Sequence, residues 1–137
     1  MKNIKLYIFL VLFSLIGLYS CKKDNTTIDA SRLIIGTWHP ASTKATFYDA
    51  ITGAEKSNPG FDVDTAPSVT FGADGQYYAG DEKGTYKYNA STQVLILTND
   101  SGVQNAKVTE LNDNSLTVEN SLTSGDTRIL LIQSYIK

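Results

Sequence analysis

The sequence predicts an all-β domain: an up-and-down antiparallel meander of about eight strands closing into a small barrel. Three observations predict it. From Thr37 onward, short runs rich in β-branched and aromatic residues alternate with turn signals. Most runs are joined to the next by only a few turn residues, so neighbours in sequence become antiparallel neighbours in space. No helical period follows Gly36, and a meander of this length escapes exposed edges by curling on itself.

The chain opens on a different pattern. Lys2 and Lys5 form a short basic region, and Leu6 to Leu18 is apolar except for Tyr7, Ser14 and Gly17. As a helix that run spans roughly 20 Å, short of the ~30 Å hydrocarbon core, and it fits the apolar stretch of an export signal better than a spanning helix. Leu18-Tyr19-Ser20-Cys21 follows and looks like a lipobox. An aliphatic residue stands three before the cysteine, and a small residue stands where a peptidase must grip the chain. The cysteine supplies the thiolate that accepts a diacylglyceryl group. Residues 1–20 are therefore expected to be a lipoprotein signal peptide and 21–32 a lipidated Cys21 with its tether. Residues 33–137 are expected to form the barrel. Two or three acyl chains make such an anchor stable. The expected location is the cell envelope, lipid-anchored, at the outer membrane on either its periplasmic or its surface-exposed side.

After the leader, 137 − 20 = 117 residues remain, which suits one domain. The only cysteine is consumed by the anchor. That excludes a disulfide, a cysteine metal site and a cysteine nucleophile, and leaves stability to packing. Two of the 12 basic residues lie in the leader and all 14 acidic residues after it, so the mature net charge is 10 − 14 = −4. With no Lys/Arg run, nucleic acid is not an expected partner.

The elements follow in order. Lys22 to Thr27 is polar and reads as a spacer. Ile28 to Ile35 can form one helical turn, with Asp29 or Ser31 near its start and Gly36 ending it. Thr37 to Tyr48 is the first strand, in which Pro40 marks a bulge or an edge. Gly53 to Pro67 holds two glycines and two prolines and reads as a long loop with a short strand around Phe61–Val63. Ser68–Phe71 and Gln76–Ala79 flank Ala73-Asp74-Gly75, a hairpin turn in which glycine supplies positive φ. Gly84–Tyr88 and Gln93–Thr98 flank Asn89-Ala90-Ser91. Asn105–Leu111 and Ser115–Asn120 flank Asn112-Asp113-Asn114, and Thr127–Ile136 closes the meander. Alternation puts Val69 with Phe71, Tyr86 with Tyr88 and Leu116 with Val118 on one face each. It also groups either Val108 with Glu110 or Thr109 with Leu111. Val94–Leu97 and Ile129–Ile132 are apolar on both faces, so they are either covered by a second layer or in contact with a partner.

Chemistry-bearing residues are sparse. His39 is the single histidine and lacks the spacing of a triad or a metal motif; it reads as a polar residue at a strand end. Asp62 and Asp64 share one side of an extended segment, as Ca²⁺ ligands or an acid–base pair would, but no third oxygen donor accompanies them and a solvated loop is expected. Asp81-Glu82-Lys83 reads as a charged turn. No nucleophile–base pair can be assembled, so an enzyme is not expected, and no cofactor or metal is implied. Aromatic residues concentrate in the first half. Tyr offers an apolar body and a polar tip, which suits a pocket for an amphipathic ligand as well as ordinary strand packing. Trp38, Tyr48, Phe71, Tyr77, Tyr86 and Tyr88 are the candidate ligand-binding residues. Adjacent Tyr77 and Tyr78 point to opposite faces, so at most one of them faces the interior.

Gly36-Thr37-Trp38, preceded by a short apolar helical turn, resembles the lipocalin superfamily signature. The order that follows fits: Val69 to Gly75, Gly84-Thr85-Tyr86, Leu95-Ile96-Leu97, Val108 to Leu111 and Leu116-Thr117-Val118. Together they resemble the small lipocalin-like lipoproteins common in Bacteroidetes, over roughly Leu33 to Lys137. The charged stretch after Cys21 resembles their surface-export signals. The resemblance implies that Trp38 plugs the closed end and that the barrel either holds one small ligand or packs solid. It implies a non-enzymatic binding module for a small hydrophobic or amphipathic molecule, tied to the membrane through acylated Cys21. The alternative is an accessory lipoprotein, a subunit or inhibitor acting through its outer surface or the Gly53–Pro67 loop.

Overall fold

The computed structural model describes residues 29–58 and 66–137. The leader, Cys21, the tether up to residue 28, Asp62, Asp64 and the strand expected around Phe61–Val63 lie outside the described residues. Within them one short helix, α1 (Ala30–Leu33), precedes nine strands: β1 (Gly36–Asp49), β2 (Glu55–Lys56), β3 (Val69–Phe71), β4 (Gln76–Ala79), β5 (Glu82–Asn89), β6 (Val94–Asn99), β7 (Gly102–Leu111), β8 (Ser115–Ser124) and β9 (Thr127–Ile136). All pairings are antiparallel. From β3 to β9 each strand lies beside its sequence neighbours, and β1 pairs with both β3 and β9. Eight strands thus close into the expected barrel, and β2 is an extra strand on β1.

Local chemistry sets the elements. Asp29 caps α1 by accepting from the Ser31 N–H, which satisfies one of the free donors of a helix start. Gly36 turns the chain into β1 with φ +132°, a conformation other residues rarely adopt. Pro40 does mark a bulge: it pairs with Tyr135, and the next partner of β9 is Ser42 with Ser134. Proline has no N–H to give the ladder, so one residue is skipped. Asparagine side chains shape three turns. Asn89 accepts from Ser91 and Thr92, Asn99 from Ser101, and Asn112 from Asn114 and Ser115.

Several boundaries differ from the sequence reading, most of them by one residue. The turn expected at Asp81-Glu82-Lys83 lies one residue earlier. Gly80, at φ +59°, and Asp81 make it, while Glu82 pairs with Ala79 and Lys83 with Tyr78 inside β5. Glycine decided the turn, and the charges only marked a strand end near solvent. β2, unforeseen, sits in the segment read as loop. β7 begins at Gly102 rather than Asn105, and β8 runs on to Ser124 rather than ending at Asn120. These extensions run past the packed core, with Val103 and Leu122 exposed.

The ambiguous register of β7 is settled by a second bulge. Val108 pairs with Val118, but the next pair is Glu110 with Thr117. Skipping Thr109 lets Ala106 and Val108 face inward and still turns Leu111 toward the core. In β6, Leu95 is buried and Leu97 packs on the core, whereas Val94 and Ile96 fall on the outer face. In β9, Tyr135 faces in, so Leu130 and Ile132 face out, half-buried.

Ile34 and Trp38, both fully buried, plug the end where α1 enters. The Trp38 indole N–H donates to the Ile34 carbonyl at 2.7 Å. The Lys137 ammonium lies 4.6 Å from the Trp38 ring centroid and donates to the Leu33 carbonyl at 3.1 Å.

Candidate functional site

Above that plug the barrel encloses a void of about 120 Å³. Its deeper wall is apolar. Phe71 and Tyr77 come from the β3–β4 hairpin, Leu95 and Leu97 from β6, Leu116 and Val118 from β8, and Ala106 and Tyr135 from β7 and β9. Four polar side chains complete the wall: Glu82, Gln104, Asn120 and Gln133. On β7, β8 and β9 the polar residue stands farther from the closed end than its apolar neighbour, and Glu82 stands at the open-end start of β5. The hydrogen-bonding side chains therefore lie toward the mouth on β5 and β7–β9, while Pro67, Val69 and Ala79 keep the β3–β4 side apolar.

Register explains why these side chains converge. Val69, Phe71 and Tyr77 fall on the inward side because Phe71 pairs with Tyr77 and Val69 with Ala79. Tyr77 in turn pairs with Gly84. A Cβ at Gly84 would stand 2.8 Å from the Tyr77 ring and 2.1 Å from the Thr98 carbonyl oxygen. Glycine there lets the tyrosine ring lie across β5 and lets β5 and β6 approach closely. The Asn99 side-chain amide donates to the Tyr77 hydroxyl at 3.1 Å, fixing the far end of the ring.

The floor of the void is an aromatic stack. Phe71 meets Tyr86 edge-on, with ring centroids 4.8 Å apart, and Tyr77 at 6.5 Å. The Tyr86 hydroxyl donates to the Gly72 carbonyl at 2.7 Å. Burial pushes the phenols of Tyr86, Tyr88 and Tyr135 above the ordinary value, with the Asp74 charge adding to the effect at Tyr86. All three stay neutral at physiological pH.

The sequence candidates are thus distributed unevenly. Phe71 and Tyr77 line the void. Tyr86 and Tyr88 pack against the core beneath it, and Trp38 lies at the closed end. Tyr48 falls on the outer face opposite buried Phe47, with the Arg128 guanidinium 4.9 Å from its ring. Tyr78 is exposed, as its position beside inward Tyr77 requires. His39 stays at the surface, its Nδ1 3.0 Å from the Ser68 hydroxyl. Sequence reasoning missed all four polar wall residues and assigned Leu116 and Val118 only to packing. For Gln133 the signal was its place two residues before Tyr135 in a strand. Among the described residues no group of three His, Cys, Asp or Glu side chains could hold a metal ion.

One ionic cluster stands at the open end. Lys56 of β2 meets Asp49 at 3.3 Å and Asp126 at 3.4 Å, and donates to the Asp126 carbonyl at 3.1 Å. It joins the β1–β2 turn to the β8–β9 turn. The Asp49 carboxyl is held at about 2, first by the Thr52 backbone N–H, then by the Thr52 hydroxyl, the Ile51 N–H and Lys56.

Residues 34–118 match the lipocalin-like domain family. The chain belongs to that family. The match runs from the Ile34–Trp38 plug through the meander to Val118 on the wall of the void, and β9 completes the lipocalin-like barrel beyond it. This is typically a binding fold rather than a catalytic one. A comparison with curated proteins finds no match.

Proposed function

We propose that this lipocalin-like protein is a non-enzymatic binding module that holds a small hydrophobic or amphipathic molecule in its barrel. In the same reading it is a lipoprotein of the Bacteroidetes type, held at the outer membrane by acyl chains on Cys21. The observation that carries the binding reading is the void itself, an apolar cavity of about 120 Å³ with amide and carboxylate side chains at its rim, where a ligand pocket combines an apolar lining with a few polar groups. The anchoring reading rests on Leu18-Tyr19-Ser20-Cys21 behind its apolar leader.

Organic extraction of the purified protein followed by mass spectrometry tests the first part. A small amphipathic compound recovered in near-stoichiometric amount is expected, and a barrel empty in every preparation counts against it. Metabolic labelling with radioactive palmitate tests the second part. Label is expected on the natural chain and absent after Cys21→Ala.

A second reading is an accessory lipoprotein acting through its outer surface. Exposed Ile51 and Leu122, both near the open end, favour it. Pull-down from envelope extracts with and without residues 53–67 tests the loop's part in it, and unchanged recovery of partners removes that role.

A further inference from the structure

We infer that the lumen selects a ring-sized molecule carrying a cationic or hydrogen-donating head, and discriminates against carboxylates. This rests on the proposed binding role of the barrel and adds size and charge to it. Size comes first. A void of about 120 Å³ is close to the roughly 150 Å³ that accommodates benzene in an engineered cavity, and well below the ~300 Å³ where drug-sized pockets begin. A long acyl chain or a polycyclic ligand does not fit it. An apolar body of about one ring is the size that approaches this volume.

Charge decides the head group. Among the described residues, Glu82 is the only acidic side chain on the wall, and no lysine, arginine or histidine joins it. The nearest basic residue in sequence, Lys83, follows it on the opposite face of β5. Glu82 is placed in the lumen by two independent facts: its pairing with inward-facing Ala79 and its presence on the cavity wall. Ionised glutamate only accepts hydrogen bonds. Gln104 and Asn120 present amides that accept as readily as they donate. An ammonium or hydroxyl head is matched by these groups, whereas a carboxylate head meets the Glu82 charge with no cation among the described wall residues to offset it.

Calorimetric titration of the purified protein with four probes of one size tests this: toluene, benzyl alcohol, benzylamine and benzoate. Glu82 is exposed, so its ion pair contributes about 1 kcal/mol at most, or roughly fivefold in affinity. Benzylamine is expected to bind tighter than benzyl alcohol by up to about fivefold, and benzoate more weakly than either. E82Q, an isosteric change, is expected to erase the advantage of benzylamine over benzyl alcohol. If none of the four binds, the lumen is not a binding site and the underlying reading fails with it. If toluene and benzyl alcohol bind but benzoate equals benzylamine, or E82Q changes nothing, the site stands and the charge selection is overturned. Binding of octanoate tighter than that of any of the four probes overturns the size limit.

Discussion

The Lys137 ammonium sits over the face of Trp38 and holds the carbonyl of Leu33, so one side chain ties the end of the meander to the helix that begins it. The contact is close enough that a Cβ at Gly36 would stand 3.0 Å from Lys137 Cε. The glycine of the Gly36-Thr37-Trp38 motif thus serves both the turn and the lysine stem. A cation over an indole at an exposed site contributes about 0.5–1 kcal/mol, and the hydrogen bond a similar amount. Lys137→Ala is expected to lower stability by about 1 kcal/mol, read as a shift in the urea midpoint with unchanged slope. Lys137→Met, which keeps the stem and removes the charge, should recover only the packing part.

Trp38 itself offers a sharper test. Trp38→Phe keeps an aromatic plug but removes the indole N–H and leaves the buried Ile34 carbonyl without its 2.7 Å donor. An unpaired buried acceptor costs about 1–3 kcal/mol. Trp38→Ala, which also opens a cavity, should cost about 3–5 kcal/mol. Chemical denaturation of the two variants separates the hydrogen bond from the volume.

Gly84→Ala is expected to be among the most damaging small substitutions. Its Cβ would collide with the Thr98 carbonyl, a backbone atom that cannot swing aside, and with the Tyr77 ring. Forced overpacking costs about 1–3 kcal/mol. Displacement of Tyr77 should also weaken binding of an apolar probe such as toluene. A variant as stable as the natural protein would mean that β5 and β6 separate without penalty.

Acid sensitivity should trace to the open end. The folded Asp49 carboxyl is held at about 2 against an ordinary 3.8, and that of Asp126 is lowered first by Lys56 and then by the Thr127 hydroxyl. A carboxyl lowered by folding stabilises the protein above its unfolded value, and that contribution fades as pH falls toward its folded one. Stability should therefore decline between about pH 4 and pH 2. Asp49→Asn should flatten that decline, as followed by thermal unfolding at stepped pH. An unaltered acid limb would assign the loss to other carboxylates.

Filling the lumen distinguishes a binding cavity from a packing defect. Ala106 is buried on the cavity wall. Ala106→Leu adds three carbons where the void lies. Stability is expected to stay within about 1 kcal/mol, since an existing space is filled rather than a packed one strained. Binding of toluene should disappear. Retained binding would place the ligand elsewhere.

Much of the barrel was legible because its causes are local. The Ala73-Asp74-Gly75 turn and the span of β9 each follow from a few adjacent residues and their backbone preferences, and the structure chose Asp29 over Ser31 as the cap and a bulge over an edge at Pro40. The aromatic candidates were less legible. Phe71 and Tyr77 reached the lumen while Tyr48 did not, because facing in or out depends on a register set by the Pro40 bulge and by pairing with β9. The Thr109 bulge likewise turned both Val108 and Leu111 toward the core and left Thr109 and Glu110 exposed, a grouping that neither simple alternation offered.

The sequence by itself determined the rhythm of strands and turns, the tryptophan at the closed end and the family. All of these are written in spacings of a few residues, where hydrogen bonding and φ preferences act directly. Only the tertiary structure decided that Glu82, Gln104, Asn120 and Gln133 share one cavity and that Lys137 reaches Trp38. Those residues lie on different strands, and their meeting depends on closure, shear and two bulges summed around the whole barrel.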